Sequence, residues 1–161
     1  MDKIWAPWRI NYVTQKKRKG CILCRIKKAA ADKKNFVILR SSHCYAVLNT
    51  FPYNNGHFMV VSNRHICSLD KLSDGQILDM NKTVIKIKNV LKKVLSPNGF
   101  NIGINIGRVS GAGVDKHLHI HVVPRWLGDT NFMPVTADTK IVSQSLGALY
   151  TQIRKCLQEK K

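Results

Sequence analysis

Lys116-His117-Leu118-His119-Ile120-His121-Val122-Val123-Pro124-Arg125-Trp126 is the stretch on which the reading of this chain turns. Side chains of a strand alternate faces, so His117, His119 and His121 share one face at steps of about 6.6 Å, while Leu118, Ile120 and Val122 point the other way into a core. Pro124 is expected to stop the strand. Half of the chain's six histidines stand on this one ridge. Packing wants apolar groups in a core, so three rings in a row suit a solvent-facing polar row, a metal site made of all three, or catalysis.

Catalysis is the reading the neighbouring residues favour. A neutral imidazole attacks phosphorus well near neutral pH and leaves well once bonded to it. A second histidine can protonate a phosphate oxygen or a leaving group. The loop Gly107-Arg108-Val109-Ser110-Gly111-Ala112-Gly113 runs straight into the ridge. Its glycines allow backbone N–H groups close to an anion, with Arg108 or Ser110 as a further donor.

Outward from the ridge, the elements alternate. Val37–Arg40 and Tyr45–Leu48 read as short strands, and Pro52-Tyr53-Asn54-Asn55-Gly56 is a dense turn signal before the apolar strand 57–62. Ser73 with Gln76 makes a capping-box signature, and Ile77, Met80, Val84, Ile87, Leu91 and Val94 then recur at helical spacing to residue 95. Phe100–Ile106 reads as a strand, and Val142, Leu146, Leu149, Ile153 and Leu157 mark a last amphipathic helix. Neighbouring strands pairing antiparallel under a covering helix make an α+β fold, in one domain over residues 1–161 with no internal repeat. Residues 1–20 are polar and basic after a Trp-Pro-Trp start, and are expected to wrap over the domain as an N-terminal extension.

Of the 161 residues, 44% are hydrophobic and 22% charged, which excludes a wholly disordered chain. No apolar run approaches the about 18 residues that span a bilayer, and the first residues are not those of a signal peptide. With 27 Lys and Arg against 9 Asp and Glu, the net charge is +18 and the natural partners are polyanions: a nucleotide, a nucleic acid or an anionic surface. Five cysteines with no secretory leader fit a reducing, cytoplasmic setting rather than a disulfide framework. The pair Cys21-Ile22-Leu23-Cys24 is spaced so that both sulfurs can face one metal ion; a redox dithiol and two unrelated thiols are the rival readings.

His117-Leu118-His119-Ile120-His121-Val122-Val123 resembles the His-φ-His-φ-His-φ-φ signature of the histidine triad family, φ being apolar. Trp5-Ala6-Pro7-Trp8-Arg9, Cys21-x-x-Cys24, Ala46-Val47-Leu48-Asn49, Pro52–His57, Asn105-Ile106-Gly107 and Val123-Pro124-Arg125-Trp126 extend the resemblance to its bacterial dinucleoside polyphosphate hydrolase-like and diadenosine tetraphosphate phosphorylase-like branch, over about residues 3–135. The resemblance implies a five-stranded antiparallel sheet with two main helices and a homodimer. It implies that His119 attacks the α-phosphorus of a nucleotide or dinucleoside polyphosphate, forming a nucleotidyl-histidine, with His121 on the phosphate or leaving group. It implies Asn49 at the ribose, His57 near the phosphates, and Asn105, Gly107, Ser110 and Gly111 on phosphate oxygens. It also implies structural zinc on Cys21, Cys24, His65 and His117, so that residues 21–24 form a zinc knuckle and the working pair is His119 and His121. The chain departs from the wider family in carrying Val114-Asp115-Lys116 where many members have Gly-Gln. Two other functions compete: a zinc-stabilised nucleotide-binding protein with little turnover, and an enzyme removing an adenylyl group from nucleic-acid ends. Trp126 is a candidate for stacking on a base.

Overall fold

Short apolar runs punctuated by turn residues set up a meander that returns on itself. The computed structural model describes residues 20–129 and 143–159. Its elements in chain order are α1 (Ile22–Lys28), α2 (Asp32–Asn35), β1 (Val37–Arg40), β2 (Cys44–Leu48), β3 (Phe58–Ser62), α3 (Asp74–Leu95), β4 (Gly99–Gly103), β5 (His119–Arg125) and α4 (Leu146–Gln158), with single 3₁₀ turns at Leu69–Lys71 and Arg108–Ser110. The strands form one antiparallel sheet in the order β1-β2-β3-β5-β4. The triad strand is therefore internal, between β3 and β4.

Period two gives the sheet two faces, and both carry apolar groups. One face presents Ile38, Ala46, Leu48, Phe58, Val60, Ile120 and Val122 to α3 and α4. The other holds a smaller cluster of Val37, Tyr45, Val47 and Val61, covered by Leu23 of α1. Register puts His119 opposite Val61 and His121 opposite Met59, so the triad rises from this second face.

The helix stripe differs from its sequence reading. Met80, Val84, Ile87 and Leu91 are buried as expected, but Ile77 is exposed, and Thr83 and Val90 take places on the buried face. A three-four alternation drifts by about 20° per heptad against a straight helix, so the ends of the stripe slide off the sheet. Thr83 escapes an apolar count because its hydroxyl is satisfied in the core by the Cys44 thiol, 3.3 Å away. The start is as read: Ser73 N–H donates to Gln76 Oε1. Val142 lies outside the described residues, as does the Trp5–Arg9 segment.

Pro124 does not stop its strand; β5 runs on to Arg125. Pairing with β3 ends at Val122, while pairing with β4 continues through Pro124 to Arg125. The missing N–H of Pro124 faces the side that β3 has already left, and its carbonyl on that side accepts from Asn54 Nδ2 at 3.0 Å. The strand 100–106 is likewise shorter than read, ending at Gly103.

Gly56 closes the turn into β3 with φ +77°, and a Cβ there would stand 2.7 Å from Leu95 Cδ1 and 3.1 Å from Pro124 Cγ. Positive φ and close packing both demand glycine, and they fix where His57 enters the sheet. Gly56→Ala is expected to lower stability by about 1–3 kcal/mol, read as a lower urea midpoint at unchanged slope. An unchanged midpoint would contradict this account of the turn.

Candidate active site and metal cluster

The metal-spaced residues come from three separate segments, and each is tied to the sheet. Arg40 on β1 caps the end of α1, donating to the carbonyls of Lys27 and Ala29 at 2.9 and 3.0 Å while pairing with Asp32 at 2.7 Å. Tyr45 on β2 donates its hydroxyl proton to Leu23 O, and Lys27 Nζ donates to Asn63 O. These bonds hold Cys21 and Cys24 against the loop after β3, which carries His65. Leu118 N–H donates to Ile66 O, bringing that loop beside His117.

The four side chains converge. Each of Cys21, Cys24, His65 and His117 offers a ligand atom within 4.8 Å of all the others. Cys21 Sγ and Cys24 Sγ lie 3.3 and 3.4 Å from His117 Nδ1, Cys24 Sγ lies 3.3 Å from His65 Nδ1, and the two Nδ1 atoms are 3.3 Å apart. His117 Nε2–H donates to Ser62 O at 2.8 Å, which leaves Nδ1 as a bare lone pair aimed into the cluster. Burial holds His117 below the ordinary histidine range, keeping it neutral, and burial with the adjacent Cys21 pushes the Cys24 thiol up. Lone pairs and sulfurs crowded together in this way repel one another until a cation sits among them, so the cluster could hold a metal ion. Among the described residues it takes only the first triad histidine, which speaks against a site built from all three.

The other two histidines are set in opposite senses by their partners. His119 is buried, with 4% exposure, and its Nδ1–H donates to the His117 carbonyl at 2.7 Å. The acceptor is a carbonyl, so Nδ1 carries the proton and Nε2 keeps its lone pair. His57 has no exposed surface; Tyr53 N–H donates to its Nδ1 at 3.1 Å, so its proton is on Nε2, which lies 2.9 Å from His121 Nδ1. His121 thus accepts at Nδ1 and carries its own proton on Nε2. The rings of His119 and His121 stand edge to face at 4.7 Å. A bare nitrogen and an N–H donor stand side by side, as attack and a hydrogen bond to the leaving oxygen require.

His121 has an open flank. Its neighbour on β4 is Gly103, where an added Cβ would meet nothing within 4 Å. The sequence reading did not single out Gly103, Ser62 or Tyr53. Gly103 becomes informative only once its register against His121 is known, Ser62 meets His117 through its backbone carbonyl, which any residue type carries, and Tyr53 stands within a turn signal.

The remaining expected contacts are distributed unevenly. His57 lies beneath His121 with both ring nitrogens engaged, not on the open side. Asn49, at the end of β2, accepts from Phe51 N–H at 2.9 Å, and its Nδ2 is 3.4 Å from His57 Nδ1. Asn105 is half-buried after β4. Gly107 and Gly111 are exposed and take positive φ around the 3₁₀ turn, and Ser110 Oγ donates to Gly107 O. Arg108 and Lys116 line a shallow cleft with Asp115. Trp126 is held by its indole N–H, which donates to Leu95 O at 3.3 Å.

Residues 30–126 match the HIT domain family. The chain belongs to that family. AP-4-A phosphorylase of Mycobacterium tuberculosis is 36% identical over 154 residues, spanning 91% of this HIT chain and 79% of that protein. Bis(5'-nucleosyl)-tetraphosphatase (asymmetrical) of Schizosaccharomyces pombe is 33% identical over 93 residues, 58% of this chain and 50% of that protein. Among solved structures, a Zn-bound histidine triad family protein from Mycobacterium smegmatis shares the fold at TM-score 0.69 and 23% identity, covering 87% of this chain and 94% of that one. The five-stranded antiparallel sheet with its helices is the HIT fold. No helix among the described residues is long and apolar enough to cross a membrane.

Burial first, and then the neighbouring imidazoles, hold His57 and His121 each at about 4. An unfolded histidine titrates near about 6.5, so as pH falls the unfolded chain binds protons before the folded one. Stability from this pair is therefore full above about pH 6.5 and is lost as the pH drops toward 4. The fully buried His57 accounts for at most about 2 kcal/mol of that loss by pH 5. In urea titrations the wild-type midpoint is expected to fall between pH 7 and pH 5, and the fall to be shallower in His57→Gln. Parallel declines would contradict the depressed titration of His57.

Proposed function

We propose that this HIT protein is a nucleotide hydrolase or phosphorylase that cleaves dinucleoside polyphosphates, or related nucleotide conjugates, at the α-phosphate. The observation that carries the reading is the opposed protonation of His119 and His121. His119 Nε2 attacks the α-phosphorus, and an N–P bond forms. The bond from that phosphorus to the bridging oxygen breaks, its electron pair goes to the oxygen, and the oxyanion that leaves accepts a hydrogen bond from His121 Nε2–H. Water or orthophosphate then attacks the phosphorus. The N–P bond breaks, its electron pair returns to His119 Nε2, and the proton of the attacking acceptor is lost to solvent. His57 keeps His121 in the tautomer that can donate. The names and coverage of the Mycobacterium tuberculosis and Schizosaccharomyces pombe relatives support a dinucleoside polyphosphate as substrate. The open flank at Gly103 leaves room for it beside His121.

Exposed backbone at Gly107 and Gly111, with Ser110 and Asn105 near the same loop, suits phosphate oxygens. Asn49 at the end of β2 suits the ribose, although its amide already serves Phe51 and His57.

The cluster is read as a structural zinc site. Zn–S bonds of about 2.3 Å and Zn–N bonds of about 2.05 Å at tetrahedral angles require S···N near about 3.5 Å and N···N near about 3.3 Å. The spacings above agree to within a few tenths of an ångström. With all four positions filled by protein there is no open position for substrate, so the metal, when bound, supplies rigidity and no Lewis-acid chemistry. His117 is then a ligand and not a proton donor.

Two measurements test this. Intact-protein mass after brief incubation with diadenosine tetraphosphate is expected to gain an adenylyl group in the wild type and none in His119→Ala, with turnover down at least about 1,000-fold. ADP appearing only with orthophosphate identifies a phosphorylase, and AMP with water alone identifies a hydrolase. Nucleotide binding without adduct or turnover would overturn the enzymatic reading. Metal analysis is expected to find one zinc per chain, lost in Cys24→Ser together with thermal stability. A metal-free wild type of equal stability would overturn the zinc reading.

A further inference from the structure

Tyr53 has no part in the reaction as described beyond its backbone N–H. Its ring nevertheless lies on the two histidines that control the leaving group. The centroids of Tyr53 and His57 are 4.6 Å apart at 32°, and those of Tyr53 and His121 are 5.8 Å apart at 27°. Tyr53 is 54% exposed, whereas His57 beneath it has no exposed surface. One face of the ring meets the imidazoles and much of the rest meets water.

We propose that Tyr53 is a positioning residue whose ring roofs the His57–His121 hydrogen bond against water, so that His121 stays a neutral imidazole with its proton on Nε2. The inference rests on the reaction proposed above. The need for a roof follows from the geometry of the bond. His57 Nε2 donates to His121 Nδ1 across 2.9 Å. A proton taken up at His121 Nδ1 sets two N–H groups against each other at that distance, and the bond is lost. Water reaching the pair favours that uptake, because solvation favours the charged form.

The neighbouring imidazoles supply part of the restraint, and the other groups facing the pair are neutral. On β5, His119 is the titratable neighbour, 4.7 Å from His121 ring to ring. Met59 on β3 faces His121 with an apolar side chain, Gly103 on β4 offers none, and Asn49 from the end of β2 faces His57 with a neutral amide. Tyr53 is the aromatic ring that covers both imidazoles. Its backbone N–H survives substitution, so the His57 tautomer is kept and only the cover changes.

The test follows the imidazole C2–H resonances of His57 and His121 in the ligand-free full-length protein, titrated from pH 8 to pH 5.5. Wild type and Tyr53→Phe are expected to show flat curves across that window. Tyr53→Ala is expected to bring a midpoint into the window, a rise of at least about 1.5 units from about 4 toward about 6.5, with the acidic limb of kcat/KM rising in step. Where Tyr53→Ala does not fold, Tyr53→Val replaces it, and its midpoint must also rise above that of the wild type. A folded truncation with flat curves overturns the proposal, as does a Tyr53→Phe that titrates in the window. The titration needs no substrate, so a protein that fails to cleave dinucleoside polyphosphates refutes the proposed reaction without altering this result.

Discussion

His117 is held at three points, and the arrangement of the site depends on all three. Its Nε2–H is given to the Ser62 carbonyl, its Nδ1 is turned into the cluster with Cys21, Cys24 and His65, and its own carbonyl takes the Nδ1–H of His119. The first bond selects the tautomer that can bind a cation. The third selects the tautomer of His119 that leaves Nε2 bare. One residue thus links the metal cluster to the nucleophile through a single backbone unit. A histidine freed from these partners would distribute its proton between both nitrogens.

The second histidine is fixed by a chain that begins elsewhere. The turn at Gly56 brings Tyr53 N–H over His57, His57 Nε2–H donates to His121 Nδ1, and His121 is left a donor at Nε2. Two bonding chains, one entering from each end of β5, thereby give adjacent histidines opposite protonation. The sheet makes this possible because β5 is internal: β3 and the residue before it contribute Ser62 and His57 from one side, while β4 places Gly103 beside His121. Burial that would otherwise be costly for three polar rings is offset because the buried nitrogens have partners.

Much of this was legible in the sequence because it rests on periodicity and spacing. Period two put the three histidines on one face and the apolar residues on the other, and a two-residue gap marked Cys21 and Cys24. Strand β1 was read to its residue limits, and the turn before β3 was plain from its Pro-Asn-Asn-Gly composition. What was misread depends on who sits opposite. Pro124 continues β5 because β3 has already ended there, and nothing local to Pro124 reveals that. Thr83 is buried because Cys44 answers its hydroxyl from another element. The motif places His57 near the phosphates, and the fold adds its bond to His121, which no local pattern shows. Tyr53 and Gly103 have no signature of their own; their importance follows from turn geometry and strand register.

The central claim is that His119 and His121 carry their protons on opposite nitrogens. Long-range ¹H–¹⁵N correlation of the imidazole rings at neutral pH reads this directly. The account predicts a protonated Nδ1 with a bare Nε2 on His119, and a bare Nδ1 with a protonated Nε2 on His121. A protonated Nε2 on His119, or both rings in the same tautomer, would contradict it.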